Sequence, residues 1–268
     1  MVATINPDDP PWGVGLAVVV WIASVTILVL MQLAVGLPYI FYKATSGGST
    51  EGLATDPTLI FLSILGVVPA HLLTLLLVWY VVTNRGRRPF WKTLGWDWPR
   101  NFRPWKAIGL AILLLALSVA ITQLLGGKET QLDQIIASSL KTRFATAFLA
   151  VATAPLIEEL TFRGVLYPAL QRSLGMVWAI LIVSALFAGV HVFQYSDNLG
   201  VVAAITILSV ALTMVRAYTG RLLPSVVMHL VFNGIQAVFL VLQPFIGKSQ
   251  TENAAAGFLV RSLARLIN

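Results

Sequence analysis

The sequence predicts an all-α polytopic membrane protein, with about seven transmembrane helices plus amphipathic interfacial helices. Three observations carry this. Of 268 residues, 57% are hydrophobic and only 11% charged, where a soluble domain is nearer a quarter charged. The runs 10–42, 57–84, 107–127, 174–196, 198–215 and 222–247 contain no Asp, Glu, Lys or Arg, and most reach the ~20 apolar residues that cross a bilayer. A β-barrel is excluded, because its strands would alternate polar and apolar residues over about ten positions.

Seven spans follow in order, at roughly 13–40, 59–82, 106–125, 144–168, 175–194, 199–217 and 223–246. The first lacks a basic segment before it and is too long for a cleaved signal, so it is read as a retained span. No linker separates domains and no repeat is visible. Residues 1–268 are therefore read as a single integral membrane domain, with a motif-bearing core of three spans at 144–240. The chain has no cysteine, which removes disulfides, thiolate metal sites and a cysteine nucleophile.

Between spans 2 and 3, residues 84–106 hold seven of the eighteen basic residues and four tryptophans, Trp91, Trp96, Trp98 and Trp105. Tryptophans anchor at the interface and basic heads meet phosphates, so anionic lipids are the expected partner here. The net charge of +7 is accordingly not read as a nucleic-acid signature. The same loop sets topology. With it in the cytoplasm, eleven basic residues lie inside and seven outside, a modest bias that puts the N-terminus inside. Asp8 and Asp9 contribute little to that rule. Two further segments read as amphipathic surface helices, Lys128 to Arg143 and the tail from Asn253 to Asn268; a partner-binding helix is the other reading of the tail.

Span 4 carries the stretch APLIEELTFRG, in which Glu158, Glu159 and Arg163 follow fourteen uncharged residues, 144–157. Ionisable groups at membrane depth cost several kcal/mol, roughly 2.5–3.5 on insertion scales, and mark function by default. They recur here at intervals of four: Glu159 and Arg163, Phe187 and His191, His229 and Asn233. Residues four apart share a helix face, so three spans each present a short stripe. Glu159 before Arg163 is the favoured order for an ion pair. Glu158, about 100° round the helix, has no partner on its own span. A carboxylate near an imidazole can deprotonate water, and Asn233 can donate to a developing oxyanion. His71, in VVPAHLLTL, has no patterned companion and is read as structural. Ala185 and Gly189 at small-xxx-small spacing predict close approach of another helix. Counting roughly 1.5 Å per residue puts His229 about 10 Å deep and His191 about 24 Å deep. Convergence then requires tilted spans, an interfacial stretch within 163–175, or a break at Pro155 or Gly189.

In order and spacing these blocks resemble the CAAX-protease and bacteriocin-processing (CPBP, Abi, type II CAAX prenyl endopeptidase-like) family. Its signature is Glu-Glu-x-x-x-Arg, then Phe-x-x-x-His, then His-x-x-x-Asn. Phe162 and Gly164 complete the usual EExxFRG form, and TGRLLPSVVMH precedes His229. The Leu-Gly of WKTLGW is similar to an element before the family's third span. The resemblance covers roughly 144–240 and implies an intramembrane endopeptidase. Glu158 and His191 would activate water, His229 and Asn233 would bind the oxyanion, and Glu159 and Arg163 would hold the site's shape. Zinc on a Glu–His–His set and a metal-free glutamate–histidine mechanism both stay open, so the cofactor is undecided. The implied substrate is a peptide or protein at the membrane, and the implied location a bacterial cytoplasmic membrane. A different class also fits the residues: a non-proteolytic accessory subunit of a larger membrane complex that binds a pigment, lipid or partner helix.

Overall fold

The computed structural model describes residues 6–47, 51–126 and 128–246. Among them are helices and turns and no strand. The helices are α1 (Val14–Thr45), α2 (Pro57–Val82), α3 (Phe90–Thr93), α4 (Pro104–Leu125), α5 (Gln131–Ser138), α6 (Leu140–Ala152), α7 (Ala154–Glu159), α8 (Tyr167–Leu174), α9 (Met176–Tyr195), α10 (Leu199–Thr219) and α11 (Leu223–Ile246). A π-helical stretch, Leu160–Leu166, joins α7 to α8. Among the described residues six segments are long and apolar enough to span a membrane: α1, α2, α4, the composite Leu140–Leu174, α10 and Leu223–Phe245. The seventh span expected at 175–194 corresponds to α9, whose apolar stretch is the shorter Met176–Val192. The chain is an integral membrane protein of all-α class. The tail from Asn253 to Asn268 lies outside the described residues.

Local signals set the helix starts. Asp56 caps α2, accepting from the amides of Thr58 (2.9 Å) and Leu59 (3.1 Å), with Pro57 in the first turn where its missing N–H costs nothing. Thr130 and Asp133 form a capping box at α5. Asn198 caps α10 through the amide of Val201. Gly220, at φ +62°, ends α10 in the left-handed region that glycine adopts freely.

α1 pairs with α2, α10 lies between α9 and α4, and α11 packs on α4 and α6. Side chains from distant parts of the sequence meet on one face of this bundle. Arg216 binds the Asp8 carboxylate at 2.6 Å and the Pro7 carbonyl at 3.1 Å. Arg172 binds Asp9, the Pro10 carbonyl and the Trp12 carbonyl. Arg221 binds Asp97, and the amide of Leu222 donates to the carbonyl of Gly95. The acids before α1, silent in a topology count, thus neutralise arginines of α8 and α10. On the opposite face Lys43 pairs with Asp56, and the Asn198 side chain donates to the Lys128 carbonyl. α9 therefore crosses from one face to the other.

Close helix approach occurs at glycines other than the expected one. A Cβ on Gly200 would lie 2.7 Å from the Thr122 Cα on α4, and one on Gly66 2.7 Å from the Gln32 Cα on α1. A Cβ on Gly189 would meet nothing within 4 Å, so the Ala185–Gly189 pair is no packing notch. Small-xxx-small spacing permits an approach, but which face meets a neighbour is set by rotation of the whole helix.

Candidate functional site

The site begins with two departures from α-helical geometry inside one long segment. α6 stops at Ala152, and Thr153 has φ −125° and ψ −40° before α7 resumes with Pro155 in its first turn. Proline has no N–H for the preceding turn and its ring crowds the carbonyl four residues back. The amide of Asn233 on α11 donates to the Ala150 carbonyl at 2.9 Å, supplying a bond at the break. The break at Pro155, one of the routes to convergence read from the sequence, is thus present, while α9 continues through Gly189. Then comes the π stretch, in which Leu160 through Leu166 are all buried. Such wide turns recur at functional positions. The indole N–H of Trp12 donates to the Val165 carbonyl at 3.0 Å. A Cβ at Gly164 would press to 3.1 Å on Leu94 and 3.3 Å on Leu222, so glycine fits this turn against those two side chains.

Glu159 and Arg163 are both fully buried. The Arg163 Nη1 donates to Glu159 Oε1 at 3.0 Å, its Nη2 to the Ser209 carbonyl (3.0 Å) and hydroxyl (2.6 Å), and its Nε to the Thr213 hydroxyl (3.1 Å). The guanidinium also lies 4.6 Å over the Phe187 ring, a cation–π contact in a dry environment. The same Glu159 oxygen accepts from Nδ1 of His229 at 3.0 Å. Glu159 is thus held between a cation and an imidazole. Because an ionised carboxylate only accepts, Nδ1 of His229 carries the proton and Nε2 is the free ring nitrogen.

That free nitrogen faces Glu158. Glu158 Oε2 lies 3.7 Å from His229 Nε2, and its side chain keeps 27% of its surface exposed while His229 keeps 3%. Both atoms are near enough for one water to bond both at about 2.8 Å. Glu158 therefore has an imidazole partner on α11. His191, on α9, donates from Nδ1 to the Phe187 carbonyl at 2.8 Å; a carbonyl cannot donate, so here too Nε2 is the free nitrogen. Its ring stacks on Phe187 with centroids 4.7 Å apart. Phe187, in turn, meets His229 edge-on at 6.1 Å and Phe162 at 5.1 Å. The Phe-x-x-x-His pair is thus a stacked unit, with Phe187 the ring shared by Arg163, His191 and His229. Among the described residues no three His, Asp or Glu side chains are grouped as a metal's ligands would be. As placed, Glu158, His191 and His229 do not form the ligand set of a resident zinc.

Ser209 and Thr213 escaped the sequence reading. They too are four apart on one helix face, on α10, but hydroxyls in an apolar run bond their own backbone often enough to carry little signal. Trp12 and Thr153 gave none.

The fold is that of an all-helical integral membrane protein, and in it two adjacent carboxylates, Glu158 and Glu159, face one oriented imidazole, His229. Comparison with known proteins gives the particular family. Residues 140–235 match the family model described as type II CAAX prenyl endopeptidase Rce1-like, the same stretch and the same family to which the motif blocks point. The membrane-embedded CAAX protease MroQ of Staphylococcus aureus (strain USA300) is 25% identical over 162 residues, which cover 56% of this chain and 63% of that protein. No solved structure matches.

Proposed function

We propose that the protein is an intramembrane endopeptidase that hydrolyses a peptide bond near the membrane surface by Glu/His-activated water, in a bacterial cytoplasmic membrane. The single observation that carries this is the 3.7 Å separation of Glu158 Oε2 from His229 Nε2, with Glu159 fixing the other ring nitrogen. Water held there gives its proton to Glu158 as its oxygen attacks the scissile carbonyl, and Glu158 passes that proton to the leaving amine, the two-way role of a general acid–base. Asn233 has a second amide N–H beyond the one bound to Ala150, available to the oxyanion. His191 offers its free Nε2 to the same water or to the substrate backbone. Arg163 and Glu159 keep His229 in one tautomer. The substrate is a peptide or membrane protein segment, and the tryptophan-rich basic loop 84–106 is the contact with anionic lipids.

The test is cleavage of a quenched-fluorescence peptide by purified wild type, Glu158→Ala and His191→Ala in detergent. Loss of a general base lowers the rate by about 10²–10⁴. Loss in both variants with unfolding temperatures retained supports the reading. Three equally inert proteins that copurify with a stable complex would establish instead the accessory role, with a pigment, lipid or partner helix as ligand.

A further inference from the structure

His71 is the third of the chain's three histidines, and α2, which carries it, supplies no Asp, Glu, Lys or Arg to the membrane. Nδ1 of His71 lies 2.8 Å from the Thr153 hydroxyl, a hydrogen bond across 82 residues of sequence. Thr153 is the residue at which α6 breaks before α7 begins, and Glu158 stands five residues further on. The same break is held from the other side by Asn233 of α11, through the Ala150 carbonyl. Two helices thus grip the chain at Ala150 and Thr153, just ahead of the α7 turn that carries Glu158, one with an amide and one with an imidazole.

We propose that His71 is a positioning residue of the Glu158 site: by binding Thr153 it fixes the α6–α7 break and with it the direction of the carboxylate. This rests on the peptidase reading above. A free bend at Thr153 would let α7 rotate and carry Glu158 away from His229 Nε2, and a misplacement of about 1 Å costs on the order of 10²-fold in rate. The pair also explains why an imidazole is tolerated among the leucines of α2: its ring nitrogen is satisfied by a partner at a position where the backbone departs from regular helix.

Two measurements test the inference. In the first, wild type, His71→Ala, His71→Asn and Thr153→Val are compared on the quenched-fluorescence peptide. Asparagine places an amide where Nδ1 lies and keeps the bond to Thr153. His71→Ala and Thr153→Val are expected to lower kcat about tenfold or more with KM within about twofold, and His71→Asn to recover to within about threefold of wild type. In the second, histidine labelled with ¹⁵N is observed by NMR in detergent micelles, and the three imidazoles are assigned by replacing each in turn. The His71 resonances are expected to move in Thr153→Val and to stay put in Asp56→Asn. Wild-type kcat in both His71→Ala and Thr153→Val, or a loss in His71→Ala that asparagine does not repair, would overturn the proposal. So would His71 resonances indifferent to Thr153→Val. If wild type cleaves no peptide, the peptidase reading falls and the resonances alone decide the placement of His71.

Discussion

Replacing Glu159 by glutamine removes one charge and almost no volume. Glu159 Oε1 accepts from both Arg163 Nη1 and His229 Nδ1 at 3.0 Å, while Oε2 is buried with no hydrogen-bond partner among the described residues. A glutamine that keeps its oxygen at the first position retains both bonds but leaves two amide hydrogens in the second position without acceptors. One that flips loses both bonds. Either way a fully buried guanidinium loses its counter-charge, and its remaining acceptors, Ser209 and Thr213, are neutral. Removing one partner of a buried pair costs about 3–5 kcal/mol. At roughly 2–4 °C per kcal/mol for a chain of this size, the unfolding temperature should fall by about 6–20 °C. The assay is thermal unfolding in detergent followed by tryptophan fluorescence. A fall of under about 2 °C would refute the reasoning, since the Arg163 charge would then be compensated by something other than Glu159.

Other outcomes follow from the same geometry. Trp12→Phe keeps the ring and loses the bond to the Val165 carbonyl, and should cost about 1–3 kcal/mol for a buried acceptor left alone, read by the same unfolding assay. Gly200→Ala forces α4 and α10 apart at a 2.7 Å contact and should destabilise by about 1–3 kcal/mol, whereas Gly189→Ala, with open space around it, should be neutral or slightly stabilising as helix propensity predicts; equal effects would refute the packing. Asp56 is held down to a pKa of about 2, first by its hydrogen bond to Lys43 and then by the α2 amides. Its folded value is lowered, so its contribution is complete above the ordinary carboxylate value and is lost as pH falls through about 2. Unfolding measured from pH 5 to pH 2 should lose part of its acid sensitivity in Asp56→Asn.

The sequence makes the helical membrane architecture plain, because charge-free runs of bilayer length have few other physical meanings. Spacing along a helix is equally legible: the Glu159–Arg163 bond and the Phe187–His191 stack are both contacts within one turn. Contacts between helices are not. Nothing in a four-residue interval tells how each helix is rotated, which is why Glu158 meets His229 at 3.7 Å and why the packing glycine is Gly200, with Gly189 open. The break before Pro155 is one of the routes the sequence leaves open, and proline alone does not single it out, since Pro38 and Pro69 lie inside continuous helices. The π turn after Glu159 was not legible, since no residue type dictates it and its support comes from Trp12, 153 positions away. His71 looked solitary because its partner, Thr153, lies on another helix.

The links of the segment ahead of α1 also bear on biosynthesis. Trp12 waits for Val165, Pro10 for Arg172 and Asp8 for Arg216, separations of 153, 162 and 208 residues. During synthesis the early part of the chain therefore has no mate until most of the bundle has been inserted. The turn bearing Arg163 stays unclasped through that interval. A half-made chain holds its two glutamates without their full setting, and the site is complete only with α11, which brings His229.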